Sequence, residues 1–414
     1  MQQYKRVKLA CYSANISMSI VGNLSPILFL TFRSLYGISY SLLGLLVLIN
    51  FVTQLSIDLI FSFFSHKINM SKAVKITPIL TLSGLLIYSL SPFIFASNVY
   101  LGLVIGTIVF SASGGFAEVL ISPVIAAIPS ENPEHEMSKL HSIYAWGVVA
   151  VIIISTLFLL AFDANYWWVL SLLFTLVPIF SASLFLGAKL PELEKPEKIS
   201  GTLGFLKKGW LWMCVLAIFL GGAAECTMAQ WSSSYSEQAL GIPKVWGDIF
   251  GVALFALALG FGRTLYSKCG KNIGRVLCFG AIGSSACYLV AVVSNIPIIG
   301  LIACAMTGFC VSMMWPGSLI VAAERFPTAG VFIYAMMAAG GDLGASIAPQ
   351  LVGIITDCVS KSDLAKELSH TLSLSCEQIG MKAGMLVGFI VSLIAIFVYL
   401  IIWKSKNNQS KKDC

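Results

Sequence analysis

Apolar segments long enough to cross a bilayer recur along almost the whole chain. Each contains about twenty residues or more, the length that a membrane-spanning helix needs. We count twelve of them, at residues 9–32, 40–64, 76–96, 100–128, 140–162, 166–187, 209–233, 246–266, 273–294, 297–322, 329–356 and 383–403. Only 11% of the 414 residues are charged, against about 25% in soluble proteins. The sequence therefore predicts an all-α membrane protein with twelve transmembrane helices.

The spacing of these segments divides the chain into two halves of six helices. A charged stretch with two prolines, Lys189-Leu-Pro-Glu-Leu-Glu-Lys-Pro-Glu-Lys198, separates the sixth segment from the seventh. We therefore predict an N-terminal half at 1–187, a cytoplasmic linker at 188–208 and a C-terminal half at 209–414. Two similar six-helix halves are the layout of a large transporter fold, whose substrate site lies between the halves near the bilayer midplane.

Basic residues indicate the orientation of the helices. With the N-terminus in the cytoplasm, most of the 26 lysines and arginines fall on the cytoplasmic side, including Arg263 at the end of the eighth segment. Such a bias is typical of membrane proteins. The basic residues left outside are Arg33, Lys244, Lys361, Lys366 and Lys382. We predict a multi-pass protein of the cell (plasma) membrane with both termini cytoplasmic.

An acid in the middle of the fourth segment is the first candidate for function. The stretch reads Ser111-Ala-Ser-Gly-Gly-Phe-Ala-Glu-Val-Leu-Ile-Ser-Pro123. Ser111, Gly115, Glu118 and Ser122 are spaced by four, three and four residues, which places them on one helical face. A carboxylate at bilayer depth must face protein or water. We predict that this face lines a cavity and that Glu118 binds a coupling proton. The alternative is a structural hydrogen bond to a neighbouring helix.

Four further stretches are informative: Gly114-Gly-Phe-Ala-Glu118 followed by Pro123, Leu140-His-Ser-Ile-Tyr-Ala-Trp-Gly147, Trp315-Pro316, and Gly340-Gly-Asp-Leu-Gly-Ala-Ser-Ile-Ala-Pro349 followed by Asp357. In these stretches the chain resembles the major facilitator superfamily and, within it, the fucose–galactose–hexose:proton symporters. The resemblance implies the major facilitator fold, with Glu118 in the place of the symporters' fourth-helix acid. The chain departs from it where Asn23 replaces a first-helix acid, and where His66 and Asn69 replace the Asp and Gly of the superfamily's signature loop.

Three further titratable residues are candidates for proton coupling. Glu225 lies in the polar, glycine-bearing start of Gly221-Gly-Ala-Ala-Glu-Cys-Thr-Met-Ala-Gln-Trp-Ser-Ser-Ser234, and Asp342 lies in the middle of the eleventh segment. His141 begins the fifth, and its imidazole titrates near neutrality. The alternatives are an interface helix around Glu225, a structural pairing of Asp342 and an interfacial histidine. For gating, nearer the cytoplasmic ends of their segments, we predict Asp58, Glu324 and Arg325.

Polar and aromatic side chains supply the predicted substrate contacts. Amide and hydroxyl groups can bond substrate hydroxyls, and tryptophan rings can stack on a sugar ring. The alternatives are interhelical hydrogen bonds and packing or interfacial tryptophans. The residues are Asn15, Ser19, Asn23, Trp146, Gln230, Trp231 and Trp315.

Together these features favour secondary active transport of a small polar solute, a sugar or related polyol, by proton-coupled alternating access. The alternatives are a proton-driven exporter of drugs or metabolites and a transporter of another organic solute. A membrane sensor or scaffold would not need several acids at bilayer depth. No nucleophile–base arrangement and no Cys/His metal spacing is visible, so we expect no enzyme activity, cofactor or metal. We expect a monomer whose partners are a small-molecule substrate, the proton and the lipid bilayer, and no nucleic acid.

Most of the 11 cysteines fall in apolar segments, where they act as small core residues. Cys358 and Cys376 instead flank a long outside loop at about 357–380. Because external thiols can oxidise, a disulfide between these two cysteines is a further hypothesis.

Overall fold

The computed structural model describes residues 4–64, 68–130, 133–191, 202–269, 272–326 and 331–410. All regular structure within these ranges is helical. The chain forms two compact units, the first made of Met1–Ile38 and Ile49–Ile199 and the second of Ser39–Leu48 and Ser200–Cys414.

The helical elements up to residue 191 are α1 (Lys5–Ile27), α2 (Phe29–Tyr36), α3 (Tyr40–Phe64), α4 (Met70–Ser89), α5 (Ser91–Ile94), α6 (Val99–Ala126), α7 (Pro133–Ala161), a 3-10 turn (Ala164–Tyr166), α8 (Trp167–Phe174) and α9 (Leu176–Phe185). From residue 202 onward they are a 3-10 segment (Thr202–Lys207), α10 (Gly209–Gln238), α11 (Lys244–Trp246), a π-helical segment (Gly247–Ala253), α12 (Leu254–Cys269), α13 (Ile273–Val293), α14 (Pro297–Val311), α15 (Met314–Arg325), α16 (Val331–Ser360), α17 (Asp363–Leu372) and α18 (Cys376–Ser410).

The number of membrane-spanning helices agrees with the sequence prediction. Within the described residues, eleven helical stretches are long and apolar enough to cross a membrane, and the bent pair α1 and α2 makes a twelfth when counted as one span. The two helices meet at 47° just after Pro26. Proline removes one helical hydrogen bond and so favours a bend at this point. The predicted all-α membrane fold is confirmed.

In the first unit, glycines let α4 and α6 pack backbone to backbone. A Cβ atom at Gly84 would lie 2.7 Å from the Cβ of Phe110, and one at Gly106 would lie 2.7 Å from the Cβ of Tyr88. Neither position has room for a side chain, because ordinary carbon contacts are about 3.5–4.0 Å. This contact holds α6, the helix that carries Glu118, against its neighbour.

In the second unit, two buried tyrosines hold α10 in place. The hydroxyl of Tyr288 in α13 donates to the carbonyl of Ala224 at 2.7 Å, and that of Tyr399 in α18 donates to the carbonyl of Ala217 at 2.9 Å. Both tyrosines are fully buried, so a missing partner would leave a desolvated hydroxyl. These bonds fix the middle of α10, where Glu225 lies.

The start of α3 belongs to the second unit because a carboxylate of α16 caps it. Asp357 accepts hydrogen bonds from the amides of Tyr40 at 3.2 Å and Ser41 at 2.6 Å, and from the Ser41 hydroxyl at 2.6 Å. The first amides of a helix have no partner within that helix. An acid at this end also interacts favourably with the helix dipole. Gln350 adds a bond from its side-chain amide to the Ser41 carbonyl at 3.2 Å.

The predicted outside loop at 357–380 contains a helix. The eleventh span continues to Ser360, and α17 follows from Asp363 to Leu372 with the Ser362 side chain accepting from the amide of Ala365 at 3.2 Å. Cys358 and Cys376 are both free cysteines in this structure, which contradicts the disulfide hypothesis. Each belongs to a different membrane helix, one in the last turn of α16 and the other in the first turn of α18.

The loop before α4 departs from the superfamily pattern but keeps a helix cap. The side chain of Asn69 accepts a hydrogen bond from the amide of Lys72 at 3.0 Å. Asparagine is among the strongest N-capping residues, so it begins α4 without the glycine of the superfamily pattern. His66 lies outside the described residues.

Candidate functional site

A polar seam runs between α3 and α6 in the first unit. The side-chain oxygen of Asn50 accepts hydrogen bonds from the Ser111 hydroxyl at 2.6 Å and from the Gln54 amide at 3.1 Å. About one turn along α6, a Cβ atom at Gly114 would lie 3.1 Å from the Gln54 side-chain oxygen. The two helices therefore run side by side in the same direction. Ser111 is buried in this seam rather than open to a cavity.

The next turn of this seam brings two acids together. Asp58 lies four residues beyond Gln54 on α3, and Glu118 lies four residues beyond Gly114 on α6. The two carboxyl groups are close enough to interact electrostatically. Asp58 is partly buried, whereas the side chain of Glu118 is exposed. The structure thus places Asp58, a gating prediction, beside the main proton-coupling candidate.

The polar stripe of α1 faces α7. The amide of Asn15 donates to the carbonyl of Leu140 at 2.7 Å, and the hydroxyl of Ser19 donates to the carbonyl of Tyr144 at 2.8 Å. Both side chains are buried, so their hydrogen bonds are the interhelical contacts that the sequence left as the alternative. Asn23 donates to the carbonyl of Ser19 at 2.9 Å and stays partly exposed. Of the three, Asn23 is the most open to a solute.

Two candidates of the fifth predicted span lie on α7. The side chain of Trp146 is 68% exposed, so its indole has space for a ligand or lipid beside it. His141 belongs to the same helix, but its side chain lies outside the described part of the structure.

The second unit holds an ion pair that the sequence analysis missed. Arg263 belongs to α12, and its Nη2 atom donates to both carboxylate oxygens of Glu225 at 3.2 Å. Glu225 lies at the middle of the thirty-residue helix α10. The sequence analysis counted Arg263 only as a cytoplasmic basic residue at the end of the eighth segment and named no partner for it. In the structure α12 continues past this residue to Cys269, and its guanidinium bonds Glu225.

A broken helix supplies a further partner for Arg263. Helix α14 ends at Val311 and α15 begins at Met314. Pro316 has no amide hydrogen, so the carbonyl four residues earlier, that of Ser312, loses its usual helical donor. The Nε atom of Arg263 donates to this carbonyl at 3.1 Å. The guanidinium is therefore bonded on two sides, by the helix break and by Glu225.

Trp315, in the first turn of α15, packs closely against two glycines. A Cβ atom at Gly222 of α10 would lie 2.7 Å from its Cζ3 atom, and one at Gly341 of α16 would lie 2.6 Å from its Cζ2 atom. The indole is nonetheless partly exposed. Gly222 precedes Glu225 by one turn of the same helix, so the ring lies near the helical turn that carries the ion pair. Asp342 follows Gly341 and is buried.

The remaining candidates of α10 are buried. Trp231 is fully buried, and its Nε1 atom donates to the carbonyl of Pro349 in α16 at 2.9 Å. Gln230 is 7% exposed. In this conformation Trp231 acts as a packing residue between α10 and α16, which separates it from the accessible group around Glu225 and Trp315.

The two gating candidates at the end of α15 differ in their contacts with other helices. The guanidinium of Arg325 stacks on Trp210 of α10 at 3.5 Å from the ring centre and donates to the Ser405 hydroxyl of α18 at 3.2 Å. Glu324 is exposed. Arg325 thus links three helices of the second unit at the same end of the bundle.

The sequence contains features that indicate the site residues missing from the prediction. An acid in the middle of an apolar helix needs a partner, and the apolar run from Ile249 to Gly262 contains no proline and no charged residue that would end the helix before Arg263. On α3, Asn50, Gln54 and Asp58 are spaced by four residues, the spacing of one helical face.

Comparisons with known proteins agree with this architecture. Residues 10–349 match the family described as Major Facilitator Superfamily. A D-xylose–proton symporter superposes with a TM-score of 0.72 at 13% identity, covering 95% of this chain and 97% of that chain. A bacterial homologue of the human lysosomal transporter Spinster gives 0.70 at 12% identity and 97% of each chain. The E. coli fucose:proton symporter FucP gives 0.54 at 14% identity, covering 95% and 99%. No curated protein sequence is significantly similar to the chain.

Proposed function

Because the chain belongs to the major facilitator superfamily, a family of membrane transporters, we propose that it moves a small polar solute by proton-coupled alternating access. The solute that the residues favour is a sugar or related polyol. The observation that carries the proposal is Glu118, an exposed carboxyl group within the membrane helix α6, beside a second acid, Asp58. Asn23 and Trp146 in the first unit, and Trp315 in the second, are the accessible candidates for substrate contact.

The coupling follows from the different stability of the two forms of Glu118. A charged carboxylate that loses its contact with water is destabilised by several kcal/mol. The protonated form is neutral and avoids most of this penalty. A transporter loaded with both proton and substrate can therefore change conformation, whereas one with a bare carboxylate is held back. The nearby carboxyl of Asp58 strengthens this difference, because two adjacent negative charges repel each other.

The available driving force is sufficient for accumulation. One proton moving down a membrane potential supplies about 2.3 kcal/mol per 100 mV. Since about 1.4 kcal/mol corresponds to a factor of ten, this drives roughly fiftyfold accumulation of a neutral solute. For the direction of transport, we propose uptake of the solute by symport with a proton. The competing proposal is proton-driven export of drugs or metabolites.

Two structural relatives support a sugar as solute without deciding it. The D-xylose–proton symporter and the fucose:proton symporter share the fold, and the sequence motifs around Glu118 and Pro316 resemble the fucose–galactose–hexose group. A thermal-shift screen of purified protein with sugars, polyols and amphipathic drugs identifies the class of solute, because a specific ligand raises the melting temperature.

The test of coupling is Glu118→Gln, which imitates the protonated form. We expect this variant to bind the solute found in the screen and to exchange it in counterflow across proteoliposomes, but to lose uphill, proton-driven uptake and its pH dependence. Glu367→Gln, on the exposed helix α17, is the matched control and should accumulate like the wild type. Wild-type accumulation by Glu118→Gln would assign this carboxyl a structural role.

A further inference from the structure

Arg263 is held in place by the fold rather than by one flexible contact. Its Nε atom bonds the Ser312 carbonyl that Pro316 leaves without a helical partner. Helix α12 approaches this carbonyl closely, because a Cβ atom at Gly262 would lie 2.8 Å from the Cβ of Ser312. The guanidinium plane therefore has a defined position at bilayer depth.

The pair formed with Glu225 keeps unused hydrogen-bonding capacity. Arg263 uses Nε and Nη2, and within the described residues its Nη1 atom makes no hydrogen bond. The side chains of Arg263 and Glu225 are 43% and 18% exposed. Nη1 can donate two hydrogen bonds, and carboxylate oxygens accept more than one each. A donor and an acceptor are thus presented side by side.

The charges of this pair favour a neutral ligand. The positive charge of Arg263 and the negative charge of Glu225 cancel. Asp342 lies in the same neighbourhood, because Asp342, Arg263 and Glu225 are all within electrostatic range of Cys226. As an acid, Asp342 carries no positive charge that would attract an anion. An anion bound at Nη1 would lie beside the negatively charged Glu225 carboxylate, and two adjacent negative charges repel each other. A neutral ligand leaves the pair intact.

We propose that Arg263 and Glu225 bind two neighbouring hydroxyl groups of the transported solute. One hydroxyl accepts from Nη1 of Arg263 and the next donates to a carboxylate oxygen of Glu225. A vicinal diol suits this pair because each hydroxyl is both donor and acceptor. The inference rests on the proposed transport function and narrows its substrate to neutral compounds with adjacent hydroxyls.

The partly exposed ring of Trp315 completes this subsite. It contacts Gly222, one turn before Glu225 on α10. A cyclic polyol has an apolar C–H face as well as hydroxyls at its edge. The indole ring can cover the C–H face of the polyol while the ion pair bonds the hydroxyls at its edge. A linear amphipathic molecule has no such combination of a flat apolar face and a polar edge.

The experiment measures binding to the purified full-length chain by isothermal titration calorimetry. The neutral probes are D-xylose, L-fucose and myo-inositol, and D-gluconate is the carboxylate probe. The variants are Arg263→Lys, which keeps the charge but loses the planar fork, and Arg275→Lys as the control at the exposed start of α13. A third variant, Glu225→Gln with Arg263→Gln, removes both charges together and leaves neither one unpaired.

We expect the wild type and Arg275→Lys to bind at least one neutral probe with equal affinity. Arg263→Lys and the double variant should bind it about ten- to a hundredfold more weakly, the range for losing hydrogen bonds to a charged group. Equal affinity in a folded Arg263→Lys variant overturns the proposal. Tighter binding of D-gluconate than of every neutral probe, or no binding of any neutral probe, also overturns it.

This result is separable from the test of the proposed function. Calorimetry in detergent involves no proton gradient, so a failure of Glu118 to couple transport leaves the diol measurement unaffected. Conversely, if Arg263→Lys binds like the wild type, proton-driven accumulation through Glu118 can still be measured with whichever solute the screen identifies.

Discussion

Replacing Gly341 by alanine tests how tightly the second unit is packed around Trp315. An ideal Cβ atom at this position would lie 2.6 Å from the Cζ2 atom and 2.8 Å from the Cζ3 atom of the indole. Favourable carbon contacts are about 3.5–4.0 Å, so the ring has to move by roughly 1 Å. Gly222 packs against the same ring, since a Cβ there would lie 2.7 Å from Cζ3.

Overpacking of this kind destabilises a protein by about 1–3 kcal/mol. The measurement is the equilibrium between folded and unfolded protein in mixed micelles, titrated with sodium dodecyl sulfate. At about 1.4 kcal/mol per factor of ten, the folded population should fall by roughly 5- to 150-fold at a fixed detergent composition.

Two further variants make this prediction specific. Gly260→Ala adds the same methyl group in α12 where no atom lies within 4 Å, and alanine is the better helix former by about 1 kcal/mol, so this control should be as stable as the wild type or more so. Trp315→Phe in the Gly341→Ala background removes the colliding ring and should recover part of the loss. Equal unfolding midpoints for Gly341→Ala and Gly260→Ala would refute the packing argument.

Three other predictions concern the ends of helices. Asp357→Ala should destabilise the protein by about 1–3 kcal/mol, because it leaves the first amides of α3 without their acceptor; detergent titration checks this against the wild type. The hydrogen bond from Lys8 holds the pKa of Glu136, which precedes the fifth span, below its ordinary value. Its stabilisation is present above about pH 4.5 and is lost as the pH falls through the lowered pKa, so wild type and Glu136→Gln should converge in acid. Single cysteines at Asn408 and Ser375, in a background without other reactive thiols, test the proposed orientation; an impermeant reagent should label intact cells at Ser375 and not at Asn408.

The sequence predicted the spans well because hydropathy depends on the residues of each helix alone. It was less informative about whether a polar side chain faces a solute or another helix. Asn15 and Ser19 have the spacing of a helical face, and this spacing is the same whether the face meets a solute or another helix. The structure shows that both donate to carbonyls of α7, a fact that depends on which helix packs beside α1.

Arg263 illustrates a second limit of pattern reading. A basic residue near the cytoplasmic end of an apolar run satisfies the positive-inside rule without any partner, so the pattern does not call for one. Its partners, Glu225 and the Ser312 carbonyl, lie on two other helices. Trp231 and Trp315 show the same dependence, since one is buried against α16 and the other is partly exposed. Neighbours from distant parts of the chain decide these roles.

The cap on α3 has a consequence for how the protein is made. The carboxylate of Asp357 bonds amides 316 and 317 positions earlier in the chain. At synthesis rates of about 5–20 residues per second, the ribosome reaches that acid roughly 15–60 s after the start of the second span has emerged. During this interval the first turn of α3 lacks its permanent acceptor, so this turn is completed only when the eleventh span has been inserted.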